Sequence, residues 1–226
     1  MSYLNPSDAV AQQENLARHI FDELRTKTFD GVGITRVSYG EGEQTARNIM
    51  ANVAKQLGMT VEDDPAGNVY MTLKGRDPQA KPVVIGSHID SVAQGGNFDG
   101  AAGVVSGLIA CAGLIKAGIK PPRDIKVMGI RAEESAWFGV SYIGSRSALG
   151  TLPSNSLENA KRSDTGRTLS DHMRSAGCNP DRIRDGHVFL PPKSLESYIE
   201  VHIEQGPVLE EAEIPVAVVT GIRGNR

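Results

Sequence analysis

Four short segments of the sequence carry side chains that could bind a metal ion or transfer a proton. These side chains are imidazoles and carboxylates, and they belong to His88 and Asp90, Asp99, Glu133 and Glu134, and His202. Nitrogen and oxygen ligands of these kinds suit zinc and other borderline cations. Three of the segments lie at the ends of predicted strands, where open α/β sheets place their ligand sites. The pattern therefore predicts a metal site.

Two of the candidates also have a simpler interpretation. Asp99 could only cap the helix that follows it, because aspartate is common at that position, and His202 could be a structural histidine at a strand end. Glycines flank residues 97–99 and leave the backbone free to bring Asp99 close to a cation. A carboxylate can also bridge two ions that lie roughly 3.5–4 Å apart. The other metal-ligand types at strand ends favour the metal-site interpretation for both residues.

The adjacent carboxylates of Glu133 and Glu134 repel each other if they are half buried, so a solvated loop is the alternative for this segment. The functional interpretation gives them separate roles. Glu134 binds a metal ion, and Glu133 acts as a general base toward a water and then as a general acid toward the leaving nitrogen. Asp90 lies two residues after His88, on the same side of an extended chain. It could therefore accept the ring N–H of a ligating histidine.

The elements that position these residues alternate between strands and helices. Strands are predicted over 68–73, 82–87, 125–130, 197–203 and 216–222, and helices over 7–27, 43–57, 100–117, 139–149 and 168–176. This alternation predicts an α/β sandwich with a mixed sheet. The glycines at 95–96 lack the lysine and the spacing of a phosphate-binding loop, so that chemistry is excluded.

Composition and charge exclude other classes of protein. The chain has 226 residues, which is enough for one large domain, and its net charge of −3 shows no basic excess for binding nucleic acid. No apolar run approaches the roughly 20 residues that span a bilayer, and the N-terminus has no signal-peptide pattern. Only two cysteines occur, Cys111 and Cys178. Sparse cysteine fits a reducing compartment, so we expect a cytoplasmic protein without a membrane partner.

The motifs together resemble a known enzyme group. The strings GSHIDSV, GGNFDGAAGV, AEES, IGSRSALG and HIEQGPVLE resemble the N-carbamoyl-L-amino acid hydrolase and allantoate amidohydrolase group of the dinuclear zinc aminoacylase and carboxypeptidase superfamily. The loop at 30–36 also resembles the N-terminal region of that group. The resemblance covers most of the chain, with the clearest motifs between residues 86 and 210. It implies a three-layer α/β catalytic domain, a homodimer in the full-length protein, and a small ureido or amide acid as substrate.

The resemblance implies a ligand set for two divalent metal ions. His88 and His202 are implied as ligands of one ion, Asp99 as the bridging carboxylate, and Glu134 as a ligand of the second ion. Peptidase-like relatives tend to carry an acidic residue in the role of His202, and the string HIEQGP is more typical of the ureido-cleaving branch. Zinc is the implied metal, and manganese, cobalt or nickel could replace it, since mixed nitrogen and oxygen ligation does not select sharply.

The resemblance further implies Glu133 as the catalytic base, Asp90 as the residue that supports His88, and Gln205 as a substrate-pocket residue. Full-length members of the group also contain a further metal-binding histidine near the C-terminus and a smaller lid and dimerisation domain. We therefore expect residues 1–226 to be the N-terminal part of the catalytic domain, truncated before the lid. With an incomplete second site, we expect the chain alone to bind the second ion weakly and to have little or no activity.

Two alternatives remain open at this stage. The first is an aminoacylase or dipeptidase of the same superfamily, and the second is a noncatalytic scaffold domain that retains the fold. Within the ureido-cleaving branch, the sequence does not distinguish N-carbamoyl-L-amino acids, ureidopropionate, allantoate and ureidoglycolate as substrates.

Overall fold

A five-stranded mixed sheet is the central feature of the computed structural model, which describes residues 4–153 and 155–221. The strands are β1 (Thr60–Asp63), β2 (Val69–Leu73), β3 (Val83–His88), β4 (Ile125–Ile130) and β5 (Ser197–Ile199). A short helix α1 (Pro6–Ala11) is followed by the three long helices α2 (Glu14–Thr28), α3 (Glu41–Gln56) and α4 (Ala101–Lys116). Shorter helices are α5 (Ser135–Phe138), α6 (Ile143–Ala148), α7 (Ser156–Asn159), α8 (Leu169–Ser175), α9 (Pro180–Arg184) and α10 (Val208–Glu211), and a 3-10 turn covers Pro192–Ser194. The predicted α/β fold with a mixed sheet is confirmed.

The order of the strands explains why the predicted site residues meet. Across the sheet the order is β1-β2-β4-β3-β5, and both β4 and β5 run parallel to β3. The helix α4 connects β3 to β4, as a parallel pair requires a crossover. In the register between these two strands, His88 lies opposite Ile130. The segments that follow β3, β4 and β5 therefore leave the sheet at the same edge.

The two faces of the sheet are covered by different elements, which gives three layers. Met71 and Val127 belong to the core that α2, α3 and α4 form on one face. Tyr70 and Met128, their neighbours in sequence, belong to a second core on the other face, which Ala148 of α6 covers. This alternation follows from the two-residue period of a strand. No helix in the described part of the chain is long and apolar enough to cross a membrane.

The helix α4 lies unusually close to the sheet because glycines face the strands. A Cβ atom on Gly107 would lie 2.9 Å from Cγ1 of Val127, and one on Gly103 would lie 2.6 Å from Cβ of Ser87. Both distances are too short for a side chain at these positions. The close approach brings the residues just before α4, which include Asp99, against the end of β3.

The predicted helix over 7–27 is interrupted, so that prediction is wrong in its continuity. The helix α1 ends at Ala11, with Asn5 as its cap, and α2 begins at Glu14. The buried stripe of Ile20 and Leu24 belongs to α2 alone, whereas α1 packs separately against α4. Similarly, the helix predicted over 139–149 begins only at Ile143, after the separate short helix α5.

Two predicted strands at the C-terminal end of the described chain also differ. The strand predicted over 197–203 ends at Ile199, because the chain then leaves its pairing with β3 and turns toward the end of that strand. The strand predicted over 216–222 is not observed over 216–221, where Val216 and Val218 are exposed; Ile222 lies outside the described residues. The strand β1 was not predicted, because its mostly exposed side chains show no apolar alternation.

Candidate metal centre

Two groups of potential metal ligands lie at the edge where β3, β4 and β5 end. The first group consists of His88, Asp99 and His202, and the second consists of His88, Glu133 and Glu134. Within each group, one ligand atom from every residue lies within 4.8 Å of the others. The structure thus brings the five predicted metal or base residues to one place, with His88 shared. Asp99 and Glu134, predicted to share the second ion, belong to different groups.

The first group has the spacing of a tetrahedral site. Nε2 of His88 lies 3.2 Å from Nε2 of His202. Oδ1 of Asp99 lies 3.4 Å from the first of these nitrogens and 3.3 Å from the second. Ligand atoms about 2.0–2.2 Å from a tetrahedral zinc ion are about 3.3–3.6 Å apart. The three atoms therefore form one face of a tetrahedron of the size that zinc requires.

Hydrogen bonds on the far sides of the two rings fix their tautomers. Nδ1 of His88 lies 3.0 Å from the carbonyl oxygen of Asp90, and Nδ1 of His202 lies 2.9 Å from that of Ile203. A carbonyl oxygen can only accept, so each Nδ1 carries a proton and each Nε2 of a neutral ring presents a lone pair. Two lone pairs then face each other beside a carboxylate oxygen. Such a site favours a cation at its centre.

The Asp99 carboxylate supports the same conclusion from the acceptor side. Its Oδ1 atom is buried and accepts no hydrogen bond from the described residues. Its Oδ2 atom accepts a hydrogen bond of 2.8 Å from Nε2 of Gln205. Buried polar atoms are normally paired, so an unpaired anionic oxygen between two imidazoles fits a missing positive partner. The residues of the first group therefore fit a divalent metal ion.

The pKa values of the two histidines in this group are raised and that of Asp99 is lowered, so a proton is favoured in the place that a metal ion would take. Burial lowers the pKa of His88, but the carboxylates of Asp90 and Asp99 outweigh it and raise that pKa to about 11. The neighbouring Asp99 raises the pKa of His202. In turn, the adjacent imidazoles of His202 and His88 hold the pKa of Asp99 far below its usual range. A proton and a metal ion therefore compete for the same place.

This competition predicts that metal affinity rises with pH. The raised His88 pKa stabilises the metal-free fold fully below 6.5, and that contribution is lost as the pH rises through about 11. A metal ion must displace this proton, so its apparent affinity should increase up to about tenfold per pH unit for each proton released. Calorimetric titration with zinc in buffers of different ionisation enthalpy should show proton release at pH 7. A titration without proton release would contradict the prediction.

The buried Asp90 carboxylate holds more of the site than the sequence analysis predicted. Oδ1 lies 3.5 Å from Nδ1 of His88 and accepts the backbone N–H of Glu133 at 3.0 Å. Oδ2 accepts the hydroxyl of Ser38 at 2.6 Å and the backbone N–H of Glu134 at 3.2 Å. One carboxylate therefore links the end of β3 to the segment that follows β4. The role of Ser38 was missed, because a single serine 52 residues away along the chain gives no sequence signal.

A buried ion pair fixes the start of the segment that follows β4. Nε of Arg131 donates to Oε2 of Glu43 at 2.6 Å, and the backbone N–H of Ala132 donates to Oε1 of the same carboxylate at 2.8 Å. Both charged side chains are almost completely buried. Since removing one partner of such a pair leaves an uncompensated buried charge, the pairing strongly restrains the chain just before Glu133.

Glu133 and Glu134 are half buried, and their environment makes the charged forms less stable. Burial is the main cause that raises the pKa of Glu133. Burial also raises the pKa of Glu134 to about 7, with help from the neighbouring carboxylates of Asp90, Glu133 and Asp99. A carboxylate with a raised pKa can accept a proton near neutral pH and return it. The second group can therefore transfer protons or bind a cation.

Gly100 supports the His88 ring, and we expect its replacement by alanine to weaken metal binding. Its backbone adopts φ 64° and ψ −52°, and an added Cβ would overlap the imidazole of His88. The conformation alone should cost about 1–3 kcal/mol for a residue other than glycine. Gly96→Ala is the matched control, because a Cβ there meets nothing within 4 Å. Equal zinc affinity and equal thermal stability of the two variants would refute the prediction.

The position of His202 depends on a contact that the sequence analysis also missed. Oγ of Ser87, in β3, donates to Oε1 of Glu200 at 2.6 Å. Glu200 lies just beyond β5, so this hydrogen bond holds the chain near the end of β3 after the strand pairing has stopped. Gln205, predicted in the substrate pocket, is exposed and contacts Asp99 as described above.

Comparisons with known proteins agree with the motifs. The family profile described as Peptidase family M28 matches residues 68–164. An N-carbamoyl-L-amino acid amidohydrolase of Geobacillus stearothermophilus is 40% identical over 192 residues, which cover 85% of this chain and 46% of that protein. A ureidoglycolate hydrolase of Arabidopsis thaliana is 36% identical, covering 84% of this chain and 40% of that protein. The chain thus spans less than half the length of these curated relatives.

A solved structure shows the same fold. It is a hydantoinase/carbamoylase family amidase from Burkholderia ambifaria, and it matches with a TM-score of 0.77 and 33% sequence identity. The match covers 88% of this chain and 47% of that chain. The predicted resemblance is therefore confirmed both in sequence and in fold.

Proposed function

Because the chain is homologous to the N-carbamoyl-L-amino acid amidohydrolases and ureidoglycolate hydrolases, we propose that it forms part of a metal-dependent amidohydrolase. The reaction is hydrolysis of a C–N bond in a small ureido or carbamoyl acid. The observation that carries the proposal is the triangle of ligand atoms from His88, His202 and Asp99, with sides of 3.2 to 3.4 Å. Residues 1–226 are proposed as the N-terminal part of the metal-binding catalytic domain.

The proposed ligand set assigns each residue of the two groups. His88, Asp99 and His202 hold the first ion, and Asp99 with Glu134 holds a second ion. The first assignment is supported by distance and tautomer. The second is supported less directly, by the effect of the Asp99 charge on the pKa of Glu134. Two zinc ions are proposed, with manganese, cobalt or nickel as substitutes. Such ions supply Lewis acidity and make water more acidic when bound.

Glu133 is proposed as the residue that moves the proton. Its carboxylate takes a proton from the attacking water, whose oxygen forms a bond with the carbamoyl or amidine carbon of the substrate. The C–N bond then breaks, and Glu133 returns the same proton to the leaving nitrogen. Hydrogen bonds from the backbone of Glu133 and Glu134 to Asp90 hold the carboxylate in place. Gln205 is proposed to contact the substrate at the exposed side of Asp99.

The proposed substrates are an N-carbamoyl-L-amino acid, ureidopropionate or allantoate, which the names of the relatives support as a chemical class. An aminoacylase or dipeptidase activity is the alternative within the superfamily, and a noncatalytic scaffold is the alternative of another class. We further propose a homodimer for the full-length protein, by resemblance to its family. We also propose a cytoplasmic location, which the two unpaired cysteines support.

The test combines metal analysis with a substrate panel. The chain is loaded with zinc and dialysed, and its metal content is measured; we expect one tightly bound ion and a weaker second. The full-length protein is then assayed with an N-carbamoyl-L-amino acid, allantoate and an N-acyl amino acid. Cleavage of the ureido substrates supports the proposal. Cleavage of only the acyl amino acid would favour the aminoacylase, and a protein that binds no metal would favour the scaffold.

A further inference from the structure

The segment between α2 and α3 runs along the connection from β3 to α4, which has one turn at Asp90 and another at Asp99. Ile34 exchanges backbone hydrogen bonds with Gly95, and the hydroxyl of Thr35 accepts the backbone N–H of Gln94 at 2.9 Å. Further along, the backbone of Arg36 pairs with Ser91, donating to its hydroxyl at 2.9 Å and accepting its N–H at 3.0 Å. The segment therefore follows the chain that joins β3 to α4. Nothing in the proposed reaction uses it.

Arg36 is the side chain in this segment that contacts both turns at once. Its Nε atom donates to the carbonyl oxygen of Ile89 at 2.7 Å, and its Nη2 atom donates to the carbonyl oxygen of Asp99 at 2.9 Å. The first carbonyl belongs to the residue before Asp90, and the second belongs to the proposed bridging ligand itself. The residue is completely buried. A planar guanidinium with two donors in a fixed geometry sets the distance between the two carbonyls.

We propose that Arg36 is a positioning residue of the metal centre, whose guanidinium holds the turns bearing Asp90 and Asp99 at the separation that places Asp99 Oδ1 between the two imidazoles. This inference rests on the proposed function of the site, because it assumes that a metal ion binds there. Arg36 itself does not contact the ion or the substrate.

The charge of Arg36 allows a positioning role to be separated from an electrostatic one. The carboxylates of Asp90 and Asp99 lie close enough to act on the guanidinium and oppose the effect of its burial. A cation so near the site repels a metal ion. If charge were the whole effect, removal of Arg36 would tighten metal binding. A positioning role predicts the opposite, because the Asp99 turn would lose its restraint.

The experiment is a Co²⁺ titration of residues 1–226. The titration reports the affinity, and the visible absorption of the bound ion reports the ligand geometry. Arg36→Ala should weaken Co²⁺ binding about 10- to 100-fold, the range found when residues that orient metal ligands are replaced, and should change the absorption spectrum. Millimolar guanidinium should partly restore both. Arg36→Lys keeps the charge but not the planar pair of donors, so it should bind Co²⁺ more weakly than wild type.

Leu24→Ala is the control for a loss of stability alone. Leu24 belongs to α2, is completely buried in the core between the helices and the sheet, and lies outside the site. This variant should therefore have a lower melting temperature but the same Co²⁺ affinity and spectrum as wild type. If Arg36→Ala does not fold, Arg36→Lys decides the question. Wild-type or tighter affinity in folded Arg36 variants would overturn this inference alone. A wild-type chain that binds no Co²⁺ would overturn both this inference and the proposed function.

Discussion

Replacing Glu133 with glutamine in the full-length protein is expected to lower kcat by about 10²- to 10⁴-fold, the usual contribution of a general base. The amide has the shape of the carboxylate but cannot accept the proton of the attacking water. The backbone hydrogen bond from residue 133 to Asp90 does not involve the side chain, so the surrounding structure should remain. The metal content should also remain, because the ligands proposed for the two ions do not include Glu133.

The measurement pairs steady-state kinetics with elemental analysis of the same preparation. Glu41→Gln is the matched control, because Glu41 is an exposed carboxylate at the start of α3; its kcat should equal that of wild type. Retained turnover in Glu133→Gln would refute the assignment of the base. Lost turnover together with lost metal would instead identify Glu133 as a ligand, as its presence in the second group of potential ligands allows.

Replacing His88 with alanine should have the largest effect on metal binding. His88 is the residue shared by both groups of potential ligands, and its side chain is only 3% exposed. Its removal leaves two first-group ligands, His202 and Asp99, of which His202 lies on an exposed segment. We expect zinc affinity to fall by about a thousandfold or more, since a catalytic zinc site has only three protein ligands and the loss of one leaves too few to hold the ion.

Competition with a chromophoric chelator measures this loss directly. His172→Ala is the matched control. His172 is also a buried histidine with a hydrogen bond, to Thr165 at 2.8 Å, but it belongs to α8 and lies away from the metal centre. This variant should bind zinc as wild type does, even if its stability falls. Zinc affinity within tenfold of wild type in His88→Ala would exclude the proposed first site.

The sequence was informative where a local pattern carries a strong signal. The apolar runs before His88 and Arg131 predicted β3 and β4 to within one residue. Because parallel strands end at one edge, the ligand types that follow them could be expected to meet. The glycines on either side of residues 97–99 also indicated that the backbone could bring Asp99 close to a cation, and Asp99 does lie beside His88 and His202. The roles of these residues in binding or catalysis stay predictions.

The contacts that hold the site together could not be predicted in the same way. The interactions of Arg36, Ser38 and Glu43 with the site join residues 52 to 89 positions apart along the chain. No periodicity or spacing encodes such pairings, since they depend on how elements pack. For the same reason the early end of β5 was missed: the alternation continues to Ile203, but pairing with β3 stops at Ile199.

The shortness of β5 has a consequence for how the centre is completed. Only three residues of this strand pair with β3, and beyond them residues 200–207, which carry His202, are exposed and held by the hydrogen bond between Ser87 and Glu200. His88 and Asp99, by contrast, are attached to the sheet and to α4. We therefore expect ion binding and ordering of this segment to be linked, because an ion held by His202 as well as by His88 and Asp99 adds an attachment that the strand pairing does not supply. We expect release of the ion to begin at His202, while the rest of the sheet stays folded.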